Sequence, residues 1–207
     1  METEADTDGF TKFFKSSGYD HNAIIDVFDV LLYSYLPFDE VAWDPSFFST
    51  PYYELDTSFL IDGIIPIKMD DDYDDEESTH PNIASRKENI TTLLLEAEDG
   101  EAGKEFIVSQ DEFLHIRDLC RFETVKQFVM NGEYMKAIFN ALILRRDYPG
   151  HPLIEKAIGY SLYAQAAISN PNYDGELEDP KDKYVQGEFS ALVYSLQAMP
   201  RMDLLDY

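Results

Sequence analysis

The sequence predicts a mainly α-helical chain in two parts, and three observations carry that prediction. Between His21 and Leu36 the apolar residues Ala23, Ile24, Val27, Phe28, Leu31, Leu32 and Tyr35 recur at spacings of three and four, the period of an amphipathic helix. From Ser109 onward the same period returns in one helical segment after another. Between these regions, residues 96–108 carry Gly100 and Gly103 and read as a boundary. With 207 residues, 44% of them hydrophobic and including 14 Tyr and 14 Phe, the chain has ample material for a core.

Residues 2–15 form the first expected helix, with acidic residues at its start, where the partial positive charge of a helix N-terminus favours carboxylates, and Phe10, Phe13 and Phe14 following. Ser16 to Asp20 break it, the His21 helix follows, and Pro37 ends that one, so the pair reads as an αα-hairpin. Residues 37–69 are rich in Pro, aromatic and β-branched residues and read as a long excursion with a small hairpin around Asp62-Gly63. The run Asp70-Asp71-Asp72-Tyr73-Asp74-Asp75-Glu76-Glu77 repels itself and reads as a solvated acidic loop; as a calcium loop it lacks the alternating ligands and the Gly of an EF-hand. Residues 81–95 form the next helix. The expected domains are residues 1–95, with an irregular acidic insertion at about 37–78, a linker at 96–108, and a helical domain at 109–207.

In the C-terminal half the expected helices are 113–130, 134–147, 152–169 and 188–199, with residues 170–183 as a polar connector. Asn131-Gly132-Glu133-Tyr134-Met135-Lys136-Ala137, with Pro149 twelve residues after Ala137, resembles the turn, second helix and terminal Pro of a tetratricopeptide repeat. The first-helix aromatic and Gly positions of that repeat are not matched. The resemblance implies one degenerate helical-hairpin repeat, with a weaker second, over about residues 111–199; an unrelated helical bundle is the other reading.

Charge limits the partners. Against 41 Asp and Glu stand 16 Lys and Arg, a net charge of -25, so phosphate backbones and anionic lipid heads would repel the chain and nucleic acid is not an expected partner. No stretch reaches the about 18 to 20 consecutive apolar residues of a membrane span. Residues 1–20 lack the regions of a signal peptide, and any leader or anchor of a longer protein would lie upstream of Met1. Cys120 is alone and says little about compartment. Asn89-Ile90-Thr91 fits the glycosylation pattern but falls within an expected helix, and His151-Pro152 reads as a helix opening.

The residues that point to chemistry lie at the start of the chain and near residue 80. Taken alone, Glu2 and Asp6 are ordinary dipole partners of a first helical turn, and Ser78-Thr79-His80-Pro81 is a helix opening with Thr79 or Ser78 as cap and Pro81 in the first turn. Taken together, the E-x-x-A-D-x-x-G run from Glu2 to Gly9, the Gly18-Tyr19-Asp20 turn, the His80-Pro81 pair and Arg86 five residues after that Pro resemble the zinc peptidase family of HtpX and the CAAX prenyl protease. The resemblance implies Glu2 as the third zinc ligand and Asp6, one turn on, as a group that orients a ligand His. It further implies His80 as a donor to a developing oxyanion, or an occupant of the metal's open position, and Arg86 as the residue that holds its segment against a carboxylate, with Asp6 one candidate.

The family's H-E-x-x-H, which supplies two imidazoles and the base, is absent: none of His21, His80, His115 and His151 has Glu next and His four residues on. The chain by itself is therefore expected to lack peptidase activity and to bind zinc weakly at best. Either Met1 is internal and the chain is the C-terminal part of a longer zinc endopeptidase, the preferred reading, or the chain is a truncated relative that keeps only packing and interaction roles. The first reading expects protein or peptide substrates, a helical module that positions them or a partner protein, and, from the resemblance alone, a cell-envelope location. The alternative is a noncatalytic helical-repeat interaction protein in which Phe122, Phe128, Tyr134, Phe139, Tyr148, Tyr160 and Tyr163 supply core and groove contacts and the acidic surface selects basic partners.

Overall fold

The computed structural model describes residues 2–49, 51, 54–59, 63–68, 82–96, 103–168 and 183–200. They are mainly helical: α1 (Glu2–Asp8), α2 (Ala23–Tyr33), α3 (Ile83–Glu96), α4 (Gln110–Asn131), α5 (Tyr134–Asp147), α6 (Pro152–Ile168) and α7 (Glu188–Ala198). Among the described residues there is no strand, only two isolated bridges, Tyr19 with Lys104 and Ile65 with Gly187. The chain divides into two compact units, Met1–Tyr35 with Lys68–Phe113, and Leu36–Ile67 with Leu114–Tyr207. The excursion after α2 thus contributes its described residues as far as Ile67 to the second unit, and residues 103–108 belong to the first.

In the first unit α1 runs into a π-helical turn at Gly9–Phe13 and a 3-10 turn at Phe14–Ser16 before Gly18, at φ +75°, turns the chain. Asp20 opens α2 by accepting the Asn22 N–H at 2.9 Å. Phe10, Phe28 and Ile90 are buried together, with Phe14, Ile24, Ile25, Ile83, Leu93 and Leu94 packed against them. Burial of such side chains contributes about 1.5 to 3 kcal/mol each, so this small core joins the turns that follow α1 to α2 and α3.

In the second unit α5 is the central element. Every residue from Ala137 to Leu144 is buried, so the helix is enclosed on all sides. Ile154, Ile158, Leu162 and Ala166 of α6 and Phe189, Leu192, Val193 and Leu196 of α7 pack into the same core, as does Val125 of α4. Gly132, at φ +80°, ends α4: the Glu133 N–H reaches the Phe128 carbonyl at 2.9 Å and the Gly132 N–H that of Val129 at 3.3 Å. Pro152 begins α6, and His151 Nδ1 accepts the Leu153 N–H at 3.3 Å, the capping role its sequence context suggests.

Beside the hairpin expected around Asp62-Gly63, the Ile65 carbonyl accepts the Gly187 N–H at 2.8 Å and its N–H donates to Ser190 Oγ at 3.0 Å, so Ile65 pairs with the start of α7. Residues 60–62, the acidic run 70–77 and the connector 170–182 lie outside the described residues.

Candidate functional site

The site builds from the start of α3. Asn82 caps that helix, its side-chain oxygen accepting the Ala84 N–H at 2.8 Å. The cap expected at Thr79 or Ser78 therefore falls on Asn82, because Asn offers an acceptor at the right distance and the helix begins at Ile83. One turn on, the Arg86 N–H donates to the Asn82 carbonyl at 3.0 Å, which fixes the base of the Arg86 side chain.

Arg86 reaches Asp6 of α1 through two parallel bonds, Nε to Oδ2 at 2.6 Å and Nη2 to Oδ1 at 2.8 Å. The side chains are 20% and 17% exposed, so solvent screens the pair only in part. The guanidinium carbon also sits 5.8 Å from the centre of the Phe28 ring of α2. Two neighbours extend the seam: Asn89 Nδ2 donates to Thr7 Oγ1 at 3.2 Å, and Lys87 pairs with Asp29. Arg86 thus pairs with Asp6, the carboxylate named as its candidate from the sequence, and ties α3 to α1. Each Asp6 oxygen keeps one further acceptor position.

A second clamp holds the Gly18-Tyr19-Asp20 turn. The Lys104 N–H donates to the Gly18 carbonyl at 2.9 Å and the Asp20 N–H to the Lys104 carbonyl at 3.2 Å, while Lys104 Nζ lies 5.5 Å from the Tyr19 ring centre. A Cβ on Gly103 would stand 2.2 Å from the Tyr19 carbonyl carbon, so only glycine lets the two backbones come this close. Gly103 reads in the sequence as linker punctuation; its role is close approach, and no local pattern distinguishes the two.

Among the described residues no group of three or more His, Cys, Asp or Glu is placed to hold a metal ion. His21 lies 3.1 Å from the Lys15 carbonyl and against the rings of Phe10 and Phe14, and His115 and His151 belong to the second unit. The side chain of Glu2 and the whole of His80 lie outside the described residues.

The second unit has polar junctions that sequence reasoning missed. Asp118 of α4 accepts from the Tyr148 hydroxyl at 2.7 Å and from Arg117 Nη2 at 2.8 Å. Burial opposes its ionisation, but the bond from Tyr148 and the charges of Arg117 and Arg121 prevail and hold its carboxyl below the ordinary value of 3.8. The same bond, with burial, raises the Tyr148 phenol above 10.0. At α7, Gly187 has φ +62° and ψ -154°, and the Glu188 N–H donates to Asp39 Oδ1 at 2.8 Å, so a carboxylate from the excursion caps the helix. Comparison of the chain with protein-family models, characterised proteins and solved structures yields no match.

Proposed function

We propose that the first unit is the C-terminal, clamping portion of a zinc metalloendopeptidase of the HtpX and CAAX prenyl protease type, and that the second unit is its helical protein-interaction module with tetratricopeptide-like character. The observation that carries this reading is the two-bond ion pair between Asp6 and Arg86, 80 residues apart. The resemblance calls for a carboxylate at Arg86, and Asp6 belongs to the same E-x-x-A-D run as Glu2. A helix whose first turn carries a ligand must be held in place, and α3 does this through Arg86 and Asn89.

In this reading zinc supplies the activation of water for peptide-bond hydrolysis, and the described residues of this chain do not hold it by themselves. Their part is positional: Arg86 fixes α1, Asn82 fixes Arg86, and Gly103 with Lys104 fixes the turn that follows. Glu2 is the proposed ligand and His80 the proposed oxyanion donor. Protein or peptide substrates and a cell-envelope location follow from the resemblance.

The test is hydrolysis of a denatured protein substrate by the natural protein. Loss of cleavage with a zinc chelator, recovery on adding zinc, and loss in Glu2→Gln support the proposal. Chelator-resistant cleavage, or no cleavage and no zinc binding by the natural protein, overturns it in favour of a noncatalytic helical interaction protein.

A further inference from the structure

Within the second unit, residues 38–48 are held chiefly by side chains of its helices. Arg146 Nη1 donates to the Glu40 carbonyl at 3.1 Å and Arg145 Nη1 to the Phe47 carbonyl at 3.2 Å, while the Glu188 carboxylate accepts the Trp43 N–H at 2.7 Å. These contacts read the main chain at positions 40, 43 and 47, and Arg146 Nη2 also stands 3.8 Å from the Glu40 carboxylate. Identity is read elsewhere. The Glu40 carboxylate pairs with Arg121 of α4, whose guanidinium carbon lies 5.4 Å from the Phe38 ring centre, while Phe48 is buried in the core and Trp43 packs against that core. A segment without regular structure as far as Asp44, closing in a 3-10 turn at Pro45–Phe48, held by arginines at two carbonyls and anchored by Phe48, is bound as a helical surface binds a peptide.

The fit of this occupant is incomplete. Arg121 Nε and Trp43 Nε1 are both buried without a hydrogen-bond partner. Glu40 meets Arg121 at Nη2, whereas Asp6 meets Arg86 at Nε and Nη2 together. A carboxylate seated side-on at Arg121 would satisfy the orphan donor as Asp6 does for Arg86, and a buried unsatisfied donor is costly to leave.

We propose that this face of α4, α5 and α7 is a peptide-binding site that residues 38–48 occupy in cis. Arg121 reads the anion, and the ligand class is an acidic peptide with an aromatic residue three positions after the acid, as Trp43 follows Glu40. The proposal rests on the second unit's being a protein-interaction module and not on the peptidase reading of the first. Failure to bind peptide would leave the zinc result untouched, and the reverse.

The test uses the full chain and a fluorescein-labelled peptide of residues 37–49, read by anisotropy. Wild type, its site filled in cis, is expected to bind the peptide at least about tenfold more weakly than Glu40→Ala/Trp43→Ala, and adding Arg121→Ala to that variant should cost at least about tenfold again. Circular dichroism confirms that helix content is kept; if the double variant loses it, Glu40→Ala alone serves for the same comparison. Equal binding by wild type and the folded variant, or binding indifferent to Arg121→Ala, overturns the proposal.

Discussion

Arg86 and Asp6 meet edge to edge, with both carboxylate oxygens bonded and the pair largely shielded from solvent. Because the two lie on α3 and α1, the pair is a tertiary constraint on the first unit. Hydrogen bonds to charged groups contribute about 1.5 to 3 kcal/mol, so Arg86→Ala should destabilise the unit by about 2 kcal/mol in urea unfolding. Arg86→Lys should recover little of this, since a single ammonium cannot reproduce the planar fork. A double-mutant cycle with Asp6→Asn should return a coupling of about 1 kcal/mol or more; a coupling near zero would show that the pair is not a constraint.

Gly103→Ala places a methyl group where the Tyr19 backbone already is. The expected result is loss of the Tyr19–Lys104 pairing, seen as faster amide exchange at Asp20 and Lys104, with a cost of about 1 to 3 kcal/mol. Unchanged exchange at those amides would contradict the close approach.

Gly187→Ala meets two obstacles, a backbone conformation reserved for glycine and the Asp39 carboxylate at 2.9 Å. Loss of about 1 to 3 kcal/mol is expected. Asp39→Ala in the same chain relieves the contact but leaves the strain and removes the cap on the Glu188 N–H, so it should not restore wild-type stability in thermal unfolding.

The Asp118–Tyr148 bond gives a pH signature. The Asp118 carboxyl is depressed in the folded chain, so its contribution is present above 3.8 and disappears as pH falls through the lower folded value. The Tyr148 phenol is raised, so its contribution is present below 10.0 and disappears as pH rises through the higher folded value. Tyr148→Phe should weaken the loss of stability as pH falls below 3.8 and remove Tyr148's share of the loss as pH rises above 10.0. A profile unchanged by the substitution would show that the bond does not form in solution.

The helices were legible where period and punctuation agree. α5 spans the expected 134–147 because Gly132 stops α4, Pro149 and Gly150 close the next turn, and the intervening residues favour helix. α3 was legible in extent but not in its cap, since Asn82 competes with Ser78 and Thr79 and only the fold selects the one next to Ile83. The partner of residues 36–67 was not legible. It depends on Arg145, Arg146, Gly187 and Glu188, more than 80 residues downstream, and no local pattern encodes such a contact. Of the candidate site, the Asp6–Arg86 pair was legible as opposite charges in two motifs of one resemblance, while Gly103 was hidden because a glycine that permits close approach looks like one that permits flexibility.

The most direct test of the central proposal is the intact mass and zinc content of the natural protein, purified from its source without chelators. The account predicts a mass above the 23.8 kDa of this sequence and about one zinc per molecule, with the metal lost in Glu2→Gln. A natural mass of 23.8 kDa with no bound zinc would contradict it and leave a helical interaction protein.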